Sequence, residues 1–269
     1  MPLAAVVQMN SGPTVAGNLA AARELLESAA KRGAVLAGLP ENFPIMGVTD
    51  RDKIGVAEAD GDGPIQQWLS KTARELNLWI IGGTIPIRAS SGKVSAACLT
   101  IDSTGRRVAR YDKMHLFDVD IPGKSESYRE SATIDCGEKP VVVDTPIGKV
   151  GLAVCYDMRF PELFRHLVEQ GARVISLPAA FTVPTGQAHW DVLLRARAIE
   201  NLCYVMAPAQ VGTHANGRET YGNALIADPW GLVLDRVQGG PGVAIAEIDT
   251  TSQSEIRERF PALSHRKLA

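Results

Sequence analysis

Short β-rich runs alternate with helical patterns along the whole chain, and this alternation restricts the possible folds more than any other feature of the sequence. It favours an α/β fold over separate α and β domains. Eleven strands are predicted, at Leu3–Met9, Val35–Leu39, Trp79–Thr84, Val94–Asp102, Arg107–Tyr111, Val150–Cys155, Val174–Leu177, Cys203–Ala207, Ala224–Ala227, Leu232–Arg236 and Val243–Ile248. Helices are predicted at Asn18–Arg32, Pro64–Leu76, Pro161–Gln170, Gln187–Glu200 and Gln253–Phe260.

The number and order of these strands predict two sheets. Neighbouring strand pairs, such as 79–84 with 94–102, predict antiparallel hairpins, so the sheets should be mixed. Eleven strands are many for one open sheet and favour two packed sheets. No repeat, linker or low-complexity tract divides the 269 residues. We therefore expect a single domain over residues 1–269.

The composition, with 45% hydrophobic and 22% charged residues, is typical of a soluble globular protein. A formal charge of −2 gives no electrostatic reason to expect nucleic acid or an anionic membrane as a partner. No apolar run approaches the ~20 residues of a membrane span. The amino terminus enters a strand-like run without the basic and apolar regions of a signal peptide. We expect a cytoplasmic protein.

The four cysteines differ in their surroundings, and one of them is a candidate nucleophile. They show no metal-ligand spacing, so no metal site is predicted and a zinc hydrolase is disfavoured. Cys98 and Cys203 lie in apolar runs, and Cys136 lies in a predicted loop. Cys155 ends an apolar run and precedes a polar turn, at the strand end where α/β folds build their sites. A lone buried cysteine is more often a packed apolar residue, so position alone leaves both interpretations open.

Glu41 and Lys113 follow two other predicted strands. Each alone is an ordinary loop or surface residue, and His115 is a rival base. With Cys155 they form a set suited to acyl transfer, because a thiol with a pKa of ~8.5 needs a base. Glu41 can accept the thiol proton. Lys113 and the N–H of Tyr156 can donate to the oxyanion, and such donors are worth ~3–4 kcal/mol each.

Three motifs carry a family resemblance: residues 39–43 (LPENF), 111–116 (YDKMHL) and 155–162 (CYDMRFPE). With them the chain resembles the nitrilase superfamily of carbon–nitrogen hydrolases. The resemblance implies a four-layer αββα sandwich with two mixed sheets, packed as a dimer and using no cofactor. It also implies thiol attack on an amide or nitrile carbon through a thioester, with Glu41 as base, Lys113 stabilising the intermediate and Cys155 as nucleophile. Asp112 is a departure, because a basic or small residue often precedes the lysine.

The long polar loop at 117–140 is expected to be functional. Family members often carry a second glutamate after the lysine. Glu130 matches that position by context, and Glu126 is the competing candidate.

Residues 180–190 and 193–201 are similar to the amidase branch that acts on deaminated glutathione, and segments 118–123 and 228–231 are similar to it too. The competitors are omega-amidase, which acts on 2-oxoglutaramate or 2-oxosuccinamate, and N-carbamoyl amino acid hydrolase. The non-enzyme alternative is a catalytically silent scaffold of the same fold. In every enzymatic reading the partner is a small-molecule amide.

The substrate-binding residues expected from sequence are Tyr156, Phe181 and Thr182. A substrate carboxylate requires a cation, for which Arg129, Arg195 and Arg218 remain equal candidates. Arg159 and Glu162 are expected to hold the turn after Cys155 through ion pairs and the helix start rather than to contact substrate. Arg197 and Glu200 lie three apart on one helix face and are expected to tie their helix to a neighbour or to the dimer partner.

Overall fold

Two β-sheets lie face to face between two layers of helices in the computed structural model, which describes residues 1–121 and 126–267. The strands are β1 Leu3–Met9, β2 Ala34–Gly38, β3 Trp79–Ile81, β4 Ile85–Arg88, β5 Val94–Ile101, β6 Arg107–Asp112, β7 Asp118–Asp120, β8 Ser127–Arg129, β9 Ile134–Asp135, β10 Val141–Thr145, β11 Gly148–Leu152, β12 Val174–Ser176, β13 Tyr204–Ala207, β14 Ala209–Thr213, β15 Glu219–Tyr221, β16 Leu225–Ala227, β17 Val233–Arg236 and β18 Gly242–Glu247. The helices are α1 Val15–Lys31, α2 Asp52–Gly55, α3 Pro64–Leu76, α4 Pro161–Glu169, α5 Val183–Asn201 and α6 Thr250–Arg259. Residues 130–132 and 155–159 form short 3₁₀ turns.

Both large sheets mix parallel and antiparallel pairs, as predicted. The first runs β15-β14-β1-β2-β3-β5-β4, with β18 beside β1 and with β6 and β9 beside β5. The second runs β10-β11-β12-β13-β16-β17. Strands β1, β2 and β3 are parallel, as are β11, β12 and β13. Their carboxyl ends therefore lie at one edge of each sheet.

Alternation along β1 shows how the four layers form. Ala4 and Val6 pack into the core between the two sheets, together with residues of β11 and β12. Ala5 and Val7 point the other way and pack against α1 and α3. On the far side of the second sheet, α4 and α5 join the inter-sheet core through residues such as Phe164. The expected four-layer αββα sandwich is confirmed.

Sequence patterns located all five predicted helices and all eleven predicted strands, but they missed seven strands. The missed strands are β4, β7, β8, β9, β10, β14 and β15. Most of them are short, and a three-residue strand has too few positions to show alternation. Helix α5 starts at Val183 rather than at Gln187, because Thr182 is extended and Pro184 suits a first helical turn.

The predicted loop at 117–140 contains the β7–β8 hairpin, a 3₁₀ turn and β9. Pro122 and Gly123, part of the segment used for the branch resemblance, lie outside the described residues. In the described ranges, no helix is long and apolar enough to cross a membrane.

Candidate active site

Glu41, Lys113 and Cys155, predicted at three strand ends, line one pocket. Glu41 follows β2, Lys113 follows β6, and Cys155 lies three residues beyond β11. The Lys113 ammonium donates to Glu41 Oε1 at 2.8 Å. The three residues are 3%, 1% and 7% exposed, respectively. The structure therefore places a thiol, a carboxylate and an ammonium together with little exposure to solvent.

Cys155 is held in an unusual backbone conformation. It was predicted as the last residue of a strand, but β11 ends at Leu152 and Cys155 opens the 3₁₀ turn with a φ of 49°. A positive φ is costly for a side chain with a Cβ and persists only when surrounding contacts enforce it. Its N–H donates to Pro178 O at 2.9 Å, which fixes the turn against the end of β12.

Asp157 supplies most of the hydrogen bonds that hold this turn. Its fully buried carboxylate accepts from the Val154 N–H and from the Tyr111 hydroxyl, each at 2.7 Å. The ring of His115 lies 2.6 Å from the same carboxylate and stacks on Phe160. His115, the rival base, is thus engaged with Asp157 and does not line the pocket.

Arg197 supports the turn from α5. Its Nε donates to Met158 O at 2.9 Å, and its Nη1 lies 2.5 Å from Glu200 Oε1. Arg197 and Glu200 pair within α5, and the arginine ties this helix to a neighbouring segment, the cysteine turn.

The backbone around Glu41 is fixed by strands that the sequence patterns located only in part. Gln210, in the missed strand β14, donates to Glu41 O at 3.0 Å. The Asn42 N–H donates to Thr84 Oγ1 at 2.8 Å. Gly83 has a φ of +52°, and a Cβ built there would lie 2.0 Å from Pro40 O. The close passage of two chain segments beside Glu41 therefore requires glycine at this position.

Glu130, and not Glu126, contacts the lysine. Glu130 Oε1 and Oε2 accept from Lys113 Nζ at 2.9 and 2.7 Å, and Oε2 also accepts from the Phe117 N–H. Glu126 instead accepts from the Tyr128 hydroxyl at 2.9 Å and lines a separate groove. The ammonium therefore lies between two carboxylates.

Burial and these charges determine the protonation states. Burial alone would lower the pKa of Lys113, but the charges of Glu130 and Glu41 outweigh it and raise that pKa. Burial opposes ionisation of Glu130, yet the charge and hydrogen bonds of Lys113 lower its pKa below the usual range. Burial, followed by the charge of Glu41, raises the pKa of the Cys155 thiol, while Lys113 acts in the opposite direction. The resting site thus holds a neutral thiol beside charged partners.

The three residues expected to bind substrate line this pocket, which spans about 580 Å³ including its mouth. Phe181 packs edge-on against Trp190 with ring centroids 5.0 Å apart. Thr182 Oγ1 lies 2.9 Å from Thr185 Oγ1. Tyr156 directly follows the cysteine in the 3₁₀ turn and packs against Phe117 and Phe160.

Of the arginines considered from sequence, Arg129 and Arg218 line the pocket and Arg195 does not. The Arg195 Nε donates to Gly231 O in a surface cleft away from the Cys155 pocket. Arg129 is occupied by both carboxylate oxygens of Asp120.

Arg159 lies in the pocket wall rather than in an ion pair among the described residues. Its guanidinium carbon lies 5.6 Å from the centroid of the Phe181 ring, in the pocket wall. Within residues 1–121 and 126–267, no carboxylate lies at ion-pair distance from Arg159 or Arg218, so the expected ion pairs of Arg159 are not formed. Lys53 of α2 also lines the pocket, and burial lowers its pKa. These cations make the pocket suitable for an anionic substrate.

No group of three or more His, Cys, Asp or Glu side chains in the described chain is arranged to hold a metal ion. All four cysteines are free thiols, with Cys98, Cys155 and Cys203 buried and Cys136 exposed. The reactive groups brought together in the pocket are one thiol, two carboxylates and one ammonium.

Known proteins are similar to this chain in sequence and in fold. The carbon–nitrogen hydrolase family model matches residues 3–258. A relative from Synechocystis, named deaminated glutathione amidase, is 45% identical over 268 residues, covering 98% of this chain and 97% of that protein.

Two crystal structures are similar over nearly the whole chain. Nit3 of Saccharomyces cerevisiae, described as a member of branch 10 of the nitrilase superfamily, has a TM-score of 0.89 at 30% identity, covering 99% of this chain and 97% of that one. The C. elegans NitFhit protein has a TM-score of 0.92 at 39% identity; the match covers 99% of this chain but only 65% of that longer one. The chain belongs to the carbon–nitrogen hydrolase family and is a hydrolase of non-peptide carbon–nitrogen bonds.

Proposed function

We propose that this protein is a cysteine-dependent amidase that hydrolyses deaminated glutathione, the 2-oxo analogue of glutathione, in a metabolite-repair role. The observation that carries the proposal is the convergence of Glu41, Lys113 and Glu130 beside Cys155 in a pocket lined by cations. The Synechocystis relative bears the name of this activity.

In the proposed mechanism, the Cys155 sulfur attacks the amide carbon while Glu41 accepts the thiol proton. The carbonyl oxygen becomes an oxyanion, which Lys113 and the N–H of Tyr156 stabilise. Collapse of this intermediate breaks the carbon–nitrogen bond, and the departing amine takes the proton from Glu41. Water then attacks the thioester and gives its proton to Glu41, which releases the carboxylic acid and restores the thiol.

Glu130 has a supporting role in this proposal. It receives two hydrogen bonds from Lys113 and thereby holds the ammonium toward Glu41 and the thiol. Because its own pKa is lowered, Glu130 stays ionised and keeps Lys113 charged over the neutral pH range. We propose that Glu130 positions Lys113.

The choice of the deaminated glutathione branch rests on where its characteristic segment lies. Ala180, Phe181, Thr182 and Thr185 all line the pocket. The segment that carries the branch resemblance is therefore in a position to select the substrate. Arg159 and Arg218, the pocket arginines without carboxylate partners among the described residues, are the proposed ligands of the 2-oxo acid carboxylate.

The first experiment measures release of cysteinylglycine from deaminated glutathione by the wild type and by Cys155→Ala. The variant should lose activity by a factor of about 10⁴ or more, as is usual when a catalytic nucleophile is removed. Cys136→Ala, at an exposed thiol, is the matched control and should keep wild-type activity. Full activity of Cys155→Ala would show the mechanism to be wrong.

The same assay separates the alternatives. Equal specificity constants for deaminated glutathione and 2-oxoglutaramate would favour omega-amidase. A higher specificity constant for N-carbamoyl amino acids than for either of these amides would favour an N-carbamoyl amino acid hydrolase. A folded wild type that turns over none of these amides would favour the silent scaffold.

We further propose that the protein is a cytoplasmic homodimer. Its four free thiols fit a reducing compartment. Exposed apolar side chains form one surface on α5 and the loop before β17: Val192, Ile199, Trp230 and Leu232, extended by Phe260 at the end of α6. Trp230 and Phe260 are in ring contact at 5.6 Å, and a Cβ at Gly231 would lie 2.6 Å from the Ile199 side chain. An exposed apolar surface of this kind commonly marks a protein interface.

A further inference from the structure

Lys53 lines the Cys155 pocket but takes no part in the proposed mechanism. Its side chain is partly buried, and within the described ranges its ammonium has no acceptor at hydrogen-bond distance and no carboxylate at ion-pair distance. An ammonium that has lost water without gaining an acceptor is unfavourable, and burial accordingly lowers the pKa of Lys53. A ligand that brings an oxygen acceptor to this ammonium would remove the cost.

The backbone that carries Lys53 is fixed on both sides of α2. At the start of the helix, Asp52 Oδ2 accepts from the Val48 N–H at 2.8 Å. Beyond its end, the Glu58 N–H donates to the oxygen of Pro86, in β4, at 3.0 Å. The lysine is therefore presented from a segment that is attached to the first sheet.

Lys53 lies within electrostatic range of the reactive groups. The charge of Glu130 raises its pKa, and the charge of Lys113 lowers it. Glu130 does not pair with Lys53, because both of its oxygens accept from Lys113. The Lys53 ammonium is therefore close to the triad and is left for a ligand.

The charges of the pocket wall that have no partner are mainly positive. Three cations have no carboxylate at ion-pair distance among the described residues: Lys53, Arg159 and Arg218. Of the pocket carboxylates, Glu41 and Glu130 are held by Lys113, and Asp50 is exposed. The buried part of the pocket therefore favours oxygen acceptors in a ligand and disfavours a further ammonium.

The acyl groups of deaminated glutathione and of glutathione differ only at C2. Deaminated glutathione has a ketone oxygen there, and glutathione has an ammonium. Both carry the same carboxylate at C1, so Arg159 and Arg218, its proposed ligands, cannot distinguish the two compounds. A lysine near C2 can do so, because it donates to a ketone oxygen and repels an ammonium.

We propose that Lys53 is a specificity-determining residue, which donates to the 2-oxo oxygen of the acyl group and excludes the corresponding 2-ammonium compound. The protein then hydrolyses deaminated glutathione and spares glutathione. This inference rests on the proposed amidase function and assigns the selection at C2 to one side chain.

The test compares deaminated glutathione with glutathione, both followed by release of cysteinylglycine. The ratio of their specificity constants, 2-oxo over 2-amino, should fall about tenfold or more in Lys53→Met. Lys71→Met, at a lysine of α3 that is 69% exposed and does not line the pocket, is the matched control and should keep the wild-type ratio. A purely structural role of Lys53 would lower both specificity constants equally and leave the ratio unchanged.

Charge reversal gives a second variant whose result does not depend on a loss of activity. Lys53→Glu places a carboxylate where the ammonium of glutathione would lie. The specificity constant for glutathione should therefore rise above its wild-type value, while that for deaminated glutathione falls. A decrease for both compounds would contradict the role of Lys53 at C2.

A binding measurement removes the dependence on turnover. The probes are 2-oxoglutarate and L-glutamate, two acids that differ only at C2. By calorimetry, the wild type should bind 2-oxoglutarate about tenfold or more tightly than L-glutamate, and Lys53→Met should lose this difference.

Failure of this inference and failure of the proposed function give different results. If the wild type hydrolyses deaminated glutathione and Lys53→Met changes neither the ratio nor the relative affinities, Lys53 does not select at C2 and the amidase function stands. If the wild type hydrolyses neither compound, the proposed function is wrong. Equal affinity of the wild type for 2-oxoglutarate and L-glutamate would then overturn the role of Lys53 as well.

Discussion

At the scale of single residues, the site depends on a thiol that keeps its proton at rest. Burial and the charge of Glu41 raise the pKa of Cys155, so little thiolate exists near neutral pH. Such a thiol is a poor nucleophile until its proton is removed. Glu41, fixed by Lys113 at 2.8 Å, is the group placed to accept that proton. Proton transfer and attack are therefore expected to occur together.

Replacement of Glu41 by glutamine separates two roles of the carboxylate. Without the base, turnover should fall by about 10²–10⁴, the usual contribution of general base catalysis. Without its negative charge, the pKa of the Cys155 thiol should fall toward its ordinary value. Both effects are measured in a Cys136→Ser background, turnover by amine release and the thiolate by its ultraviolet absorbance during a pH titration.

This prediction is specific because turnover falls while the fraction of Cys155 present as thiolate at a given pH rises. A variant that lost activity through misfolding would expose the thiol but would also change the circular dichroism spectrum. If Glu41→Gln leaves turnover unchanged, Glu41 is not the base. If turnover falls and the pKa of the thiol does not, the carboxylate does not act on the thiol through its charge.

Replacement of Glu130 by glutamine tests the second carboxylate. Glu130 is 14% exposed at its side chain, and it pairs with an ammonium that is 1% exposed. Breaking a buried pair of this kind typically costs about 3–5 kcal/mol in the free energy of unfolding. Activity should also fall, because Lys113 is no longer held between two carboxylates.

The loss of stability caused by Glu130→Gln should depend on pH in a definite direction. The folded pKa of Glu130 is lowered, so its contribution to stability is present above its ordinary value of 4.5 and disappears as the pH falls through the lower folded value. Urea unfolding of the wild type and the variant should therefore differ most near neutral pH and converge in acid. A difference that is constant across this range would contradict the ionic role of Glu130.

At the scale of secondary-structure elements, the position of Glu41 depends on the turn after β3. A Cβ at Gly83 would lie 2.0 Å from Pro40 O, which is a backbone atom that cannot rotate away. Gly83→Ala should therefore lower the free energy of unfolding by about 2–4 kcal/mol and reduce turnover by displacing Glu41.

Gly92→Ala is the matched control for Gly83. Gly92 also has a positive φ, +86°, but a Cβ there meets nothing within 4 Å. The Gly92→Ala variant should lose only about 1 kcal/mol of the free energy of unfolding, because alanine is strained at a positive φ. It should keep wild-type turnover. Equal losses of stability and activity in the two variants would show that the contact with Pro40 is unimportant.

Elements with a strong hydrophobic pattern in their own residues were predictable from sequence, whereas elements held in place by contacts with distant residues were not. The amphipathic helix α3 and the apolar strand β1 were located from their own residues. Strand β14 was missed, although it pairs with β1 and carries Gln210, the donor to Glu41 O. Pro208 lies between β13 and β14, where the chain passes from one sheet to the other.

The candidate site shows the same division. Glu41 and Lys113 were found because each follows a predicted strand, and Cys155 because it ends one. The order of the three motifs that contain them then identified them as one set. Arg159 and Lys53 were missed as pocket residues, because a charged side chain in a turn or a short helix has the same local pattern whether it faces solvent or a cavity. Only the packing of Phe181 and Tyr156 around Arg159 distinguishes these possibilities.

At the scale of the whole molecule, the two sheets share one core. The cluster that contains Val6 of β1 and Val174 of β12 also contains Trp190 of α5, so no layer buries its apolar face alone. We propose that residues 1–269 form a single domain. Thermal unfolding followed by far-ultraviolet circular dichroism and by tryptophan fluorescence should then give coincident transitions. Two separated transitions would contradict this proposal.

The proposed dimer follows from the apolar surface at Trp230, which no layer of the molecule covers. Trp230 is 61% exposed and lies against Phe260, so an aspartate there would place a charge inside the interface. By light scattering at micromolar concentration, the wild type should be dimeric and Trp230→Asp should be monomeric. Val48→Asp, 58% exposed in a loop remote in sequence from this surface, should stay dimeric. A monomeric wild type, or equal dissociation of both variants, would exclude this surface as the interface.

Helix α5 carries both Val192 of this surface and Arg197, which contacts the cysteine turn. A confirmed interface would therefore connect assembly to the active site through one helix.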